Sequence, residues 1–147
     1  MTGQILDAPS QSEQVKNYAG FWIRVAAYII DGIILWIVGV ILSYIVLGGY
    51  SLIQSDPLLT VLQLLAGISY FSVLESSTRQ ATLGKSVVGI KVGDEDGRQI
   101  SLGTAVGRYF AKILSAVILL IGFMMVGWDS KKQGLHDKIV GTYVYEA

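Results

Sequence analysis

No cysteine occurs in this 147-residue chain, which excludes a disulfide framework and any chemistry run by a thiolate. A single histidine, His136, argues against a zinc site of the usual kind built within one chain. Basic and acidic residues cancel to zero net charge, so nucleic-acid binding has no electrostatic support. Charge of either sign is scarce: Asp, Glu, Lys and Arg make up 15% against about 25% in soluble domains, while 52% of residues are hydrophobic. That balance belongs to a membrane protein. Residues 1–20 are polar and lack the basic-then-apolar order of a secretory signal, so the apolar run after them is expected to remain as an uncleaved start of insertion.

That run, 21–47, holds about 27 nearly all apolar residues, where about 20 suffice for a helix to cross a bilayer. Arg24 and Asp31 interrupt it seven residues apart, close to two helical turns, which puts both on one face with Tyr28 between them. Along the axis they are roughly 10 Å apart, too far for direct contact without a water or Tyr28 in between. Trp22 stands where indoles favour the membrane interface. A second crossing is predicted over 58–75, with Ser55 and Asp56 as caps, Pro57 at the first helical position and Gln63 as a helix–helix hydrogen-bonding group.

Between the membrane elements, residues 84–102 read as a β-hairpin: SVVGIKV is β-branched, DEDG is a turn, and RQISL resumes extended structure. Residues 103–128 then read as an amphipathic interfacial turn, with Arg108 and Lys112 at i, i+4, followed by a short apolar stretch suited to a re-entrant or broken helix. Residues 129–147 form a polar GLHD loop and a final strand, and 1–19 a polar tail. The 48–56 loop has no Lys or Arg, whereas 76–104 has at least four, which predicts a multi-pass protein of the cell membrane with a cytoplasmic N-terminus and hairpin. Lys131, Lys132 and Lys138 also favour the cytoplasm, so the C-terminus is placed there too. A final strand paired with the hairpin would require that shared side.

Two catalytic patterns fail. TLGKS resembles the end of a phosphate-binding loop, but Arg79 occupies the place of its first glycine and the residues after it read as strand. No Ser–His–Asp set is apparent, so enzymatic activity is not expected. His136 beside Asp137 reads either as a proton relay or as a structural loop pair. Asp31 likewise has two readings. It is an internal anion that fixes helix packing by pairing with Arg24, Arg108 or Lys112, or it is a cation or proton site in a pathway.

Three blocks in order, GFWIRVAAYIIDGIIL, TLGKSVVGIKVGDEDGRQISLGTAVGRYF and KKQGLHDKIVGTYVY, resemble the RDD family of small membrane proteins. The likeness runs from about Gly20 to Tyr145, nearly the full chain. The family is named for one arginine and two aspartates, which fall here on Arg24, Asp31 and Asp137. The resemblance implies an all-α membrane protein, a helical transmembrane bundle with a small cytoplasmic β-hairpin or short sheet. It also implies, for some members, transport that includes sodium–proton exchange. The expected site is therefore Asp31, Arg24 and Asp137, supported by Tyr28, His136, Lys85 and Arg108, with no cofactor and no metal. One chain has too few crossings to enclose a pathway, so a homo-oligomer in the lipid bilayer is expected. The alternative is a non-catalytic membrane adaptor or assembly factor that docks a protein partner through the hairpin.

Overall fold

A computed structural model describes residues 16–50, 56–118 and 121–147. Most of the polar tail, the cap candidate Ser55 and much of the 48–56 loop lie outside the described residues. The order is α1 (Phe21–Leu47), α2 (Pro57–Glu75), α3 (Leu83–Val87), β1 (Ile90–Gly93), α4 (Leu102–Val117), α5 (Ile121–Met124), a 3-10 turn (Met125–Gly127), α6 (Leu135–Val140) and β2 (Tyr143–Glu146). The protein is mostly helical with one two-stranded sheet.

Among the described residues, α1 and α2 are each long and apolar enough to cross a membrane. Gly48, in the left-handed region at φ 70°, ends α1, and its N–H donates to the Tyr44 carbonyl. The Asp56 carboxylate accepts from the Leu59 N–H at 2.9 Å and so caps α2, with Pro57 just inside. Large apolar side chains such as Ile33, Trp36, Ile37 and Ile41 are exposed on α1, a surface suited to lipid. Leu102–Val117 and Ile121–Gly127 together form a span-length pair bent by 113°, the geometry of a broken or re-entrant segment. Gly122 lets the two arms meet, since a Cβ there would lie 2.8 Å from the Ser115 Cβ.

The sheet corrects the expected hairpin. β1 pairs antiparallel with β2, from Ile90 opposite Glu146 to Gly93 opposite Tyr143, and not with RQISL. The DEDG turn does form, with Asp94 and Arg98 bonded across it. The other edge of β1 is closed by Gln80, whose carbonyl accepts from the Val92 N–H while its amide donates to the Val92 carbonyl. Ser101 instead caps α4 by accepting from the Thr104 N–H at 3.1 Å. The first half of SVVGIKV is also no strand. Thr82 caps α3 by accepting from the Lys85 N–H, and Gly89 at φ 73° turns the chain into β1. The GLHD segment, read as loop, enters the α6 helix. The lead-in joins this sheet, with Ala19 N–H donating to the Val144 carbonyl and Glu146 N–H to Asn17. Ala19, Ala27, Ile90, Val92, Ile100, Ala105 and Val144 make the apolar core, so the sheet is packed onto the first turns of α1 and α4.

Candidate functional site

Arg24 and Asp31 share the buried face of α1, but their partners are different. The Asp31 carboxylate, fully buried, accepts three hydrogen bonds: from the Tyr70 hydroxyl at 2.7 Å, the Thr82 hydroxyl at 2.6 Å and the Gly84 N–H at 2.8 Å. These donors come from α2 and from the start of α3. The approach of α3 requires glycine at position 84, because a Cβ there would lie 2.3 Å from the Ala27 carbonyl oxygen. Of the described buried carboxylates, Asp31 has no basic group within ion-pair distance, whereas Glu75 and Asp137 have several.

The second set is a lattice of ions. Arg24 donates through Nη1 to Asp137 at 2.6 Å, through Nε to the Ala19 carbonyl at 3.1 Å, and through Nη2 to the Lys132 carbonyl. Asp137 also meets Arg108 Nη2 at 2.7 Å and accepts from the Gly134 N–H at 3.1 Å, which caps α6. Arg108 reaches on to Glu75 at 3.6 Å, and Glu75 binds Lys85 and, at 3.2 Å, Lys112. The Arg108 contacts are charge contacts and not aligned hydrogen bonds, since its three guanidinium nitrogens find no acceptor in line among the described residues. All six side chains are buried, and four cations share two carboxylates. Arg108 and Lys112, expected at the interface, thus face inward, because Ala105, Arg108, Ala111, Lys112 and Ser115 form the buried stripe of α4.

Burial opposes charge on Asp137, yet Arg108 and Arg24 outweigh it and hold its carboxyl below the usual carboxylate range. Burial pushes Lys85 down to about 7, aided by Lys112 and Arg108 and opposed by Glu75. It pushes His136 to about 3, so this imidazole is neutral at pH 7. Neither ring nitrogen of His136 has a hydrogen-bond partner among the described residues, and Nε2 stands 3.6 Å from Asp137, too far for a relay as it stands. Between pH 6.5 and about 3 an unfolded chain takes up a proton at His136 that the folded one refuses, so acid weakens the fold over that window. His136→Leu is expected to flatten the fall of Tm between pH 6.5 and 4, measured by thermal unfolding in detergent. An unchanged slope would place the acid sensitivity elsewhere.

Tyr28 is half-buried and sits beside the second set, not between Arg24 and Asp31: Lys112 lies over its ring at 5.5 Å and Phe123 packs edge-on at 6.1 Å. A cavity of about 460 Å³ opens here, lined by Phe21, Val25, Tyr28, Phe123, Met124 and His136 among others. Every site residue expected from the sequence is therefore buried or half-buried in one region, but split between two clusters. Glu75, Tyr70, Thr82 and Gly84 were missed, and Lys112, expected as a possible partner of Asp31, pairs with Glu75 instead. Glu75 had a signal, an acid closing an apolar helix just before a basic segment; Tyr70 and Thr82 had none. Among the described residues, no group of three His, Asp or Glu side chains converges to hold a metal.

The sequence profile of the RDD family matches residues 18–141. Uncharacterized protein YxaI of Bacillus subtilis is 37% identical over 149 aligned positions, which cover 88% of this chain and 98% of its own. Uncharacterized membrane protein YteJ of the same organism is 30% identical, over 95% of this chain and 88% of its own. A proline-rich antigen homolog of Mycobacterium tuberculosis is 40% identical over 81 positions, 52% of this chain and 33% of that protein. No solved structure matches the chain.

Proposed function

The chain belongs to the RDD family of membrane proteins, and from that premise we propose that it is a small transport component that exchanges a monovalent cation for a proton, with Asp31 as the cation site. One observation carries the reading: Asp31 is a buried carboxylate, ten residues into a membrane-length helix, with no cation beside it among the described residues. A lone charge in low dielectric is costly, and a cation or a proton from outside is what relieves it. Its neighbours suit that task. The hydroxyls of Tyr70 and Thr82 donate to the carboxylate now, and each can rotate to present a lone pair to a bound cation.

Arg24 and Asp137 take other parts in this reading. Both belong to the lattice that holds α6 and the lead-in against α1, so they position the site and do not line it. Lys and Arg placement puts the termini and the sheet on the cytoplasmic side, and the pairing of β1, β2 and the lead-in supports a shared side. Two crossings and a bent pair are too few to enclose a pathway, so the working unit is a homo-oligomer.

The test is cation-driven pH change in liposomes holding wild type or Asp31→Asn. Wild type is expected to move protons when sodium or potassium is added, and Asp31→Asn to be silent at equal insertion. Tyr70→Phe removes one ligand and should weaken the cation dependence roughly 10-fold or more, the scale of a hydrogen bond to a charged group. Silence of wild type, correctly inserted, would overturn transport and favour an adaptor that docks through the sheet.

A further inference from the structure

The five-residue helix α3 is held from two sides at consecutive residues. Gly84 gives its N–H to Asp31 of α1 at 2.8 Å, and Lys85, the next residue, gives its ammonium to Glu75 of α2. Thr82 belongs to both attachments, since its hydroxyl donates to Asp31 at 2.6 Å and accepts from the Lys85 N–H at 3.3 Å. The Tyr70 hydroxyl does the same two residues earlier, donating to Asp31 and accepting from the Leu83 N–H at 3.2 Å. No part of the α3 start can therefore shift at Asp31 without consequence for Lys85.

A cation on Asp31 forces such a shift. It takes a lone pair from Thr82 and from Tyr70, and to present it each hydroxyl must turn away from its present geometry, in which it also receives the N–H of Lys85 or Leu83. The Gly84 N–H, which can only donate, cannot remain against a bound cation. The Lys85 ammonium already faces Arg108 and Lys112 of α4, and its counter-charge among the described residues is Glu75 of α2, so a shift of α3 acts on a pair that is finely balanced. From the other elements packed here, α1 contributes Asp31 and Tyr28, and β1 carries the half-buried Lys91.

We propose that α3 couples cation occupancy at Asp31 to proton release from Lys85, which makes Lys85 the proton carrier of the exchange. This rests on the transport reading above and gives it a stoichiometry. One N–H bond of the ammonium breaks, its electron pair stays on Nζ and the proton passes to water. One monovalent cation has arrived at Asp31, so the charge of the buried region is unchanged. Glu75 is not abandoned, because Lys112 at 3.2 Å and Arg108 at 3.6 Å still face it. Removing the cation reverses each step. Burial and the neighbouring cations already hold Lys85 at about 7, so the proton comes off near neutrality.

The full chain in weakly buffered detergent, with a pH-indicator dye, tests this when sodium chloride is added against a choline chloride control. Sodium binding is followed separately by the rise in Tm. Wild type is expected to bind sodium and release protons near pH 7, about half a proton per chain at pH 7 itself and closer to one a unit lower, where Lys85 starts fully charged. Lys85→Arg keeps a permanent charge, and is expected to bind sodium and release none; Lys85→Met, neutral throughout, gives the same result should the guanidinium not fit. Proton release undiminished in both variants would overturn the proposal while leaving Asp31 as the site, with the proton then coming from Asp31 itself. No sodium effect on wild type, by either measurement, would overturn the transport reading and this coupling with it.

Discussion

Gly84→Ala is expected to leave little correctly folded protein. The added methyl would sit 2.3 Å from the Ala27 carbonyl oxygen and 2.7 Å from Oδ1 of Asp31, both inside van der Waals contact. The Ala27 carbonyl belongs to the backbone of the second turn of α1 and cannot yield without bending that helix, so α3 must retreat. Retreat breaks the 2.8 Å hydrogen bond from the Gly84 N–H and strains the one from Thr82. Overpacking costs about 1–3 kcal/mol and a lost bond to a charged group about 1.5–3, a large share of the 5–15 kcal/mol that holds a domain together. Gly32→Ala is the matched control. It adds the same methyl beside Asp31, where nothing lies within 4 Å, and it favours the helix by up to about 1 kcal/mol. Thermal unfolding in detergent, read by tryptophan fluorescence, should show a large fall in Tm for position 84 and none for position 32. Equal stability of the two variants would mean that α3 does not rest on α1.

The sequence could not announce that contact, and the reason is general to this chain. The apolar runs behind α1 and α2 are local, and so are the caps at Asp56 and Gly48, so both helices were legible from composition and position. What joins them is not local. Arg24 was legible as a cation on the face of Asp31, seven residues from it, and its true anion, Asp137, lies 113 residues away in sequence. The hairpin failed for a similar reason. SVVGIKV has strand-forming residues throughout, but Asp31 and Thr82 hold its first half as helix, and the partner of its second half comes from the far end of the chain. Arg108 and Lys112 looked interfacial because cations beside aromatic residues so often are. Glu75, on another helix, is what turns them inward.

In the proposed exchange Asp137 is a carboxylate kept for the fold and Asp31 one free to act, and Asp137→Asn measures the contrast. Asp137 holds Arg24 at 2.6 Å and Arg108 at 2.7 Å, all three side chains being buried. The amide cannot compensate either guanidinium, and breaking a buried pair from one side costs about 3–5 kcal/mol because a bare charge stays behind. Arg24→Gln joined to Asp137→Asn should cost less than the two single changes added together, since one stranded cation is gone. Acid should mimic the loss. The folded Asp137 carboxyl lies below its ordinary 3.8, so its contribution is complete above that pH and drains away as pH falls below it. Asp31→Asn strands no cation, and its amide can still accept from the Gly84 N–H while the two hydroxyls rotate to receive its N–H groups. The expected pattern is thus a large loss of Tm with asparagine at 137, and a small one, with loss of exchange, at 31. The reverse order in Tm would make Asp31 the structural anion and move the search for an ion site to the lattice around Glu75.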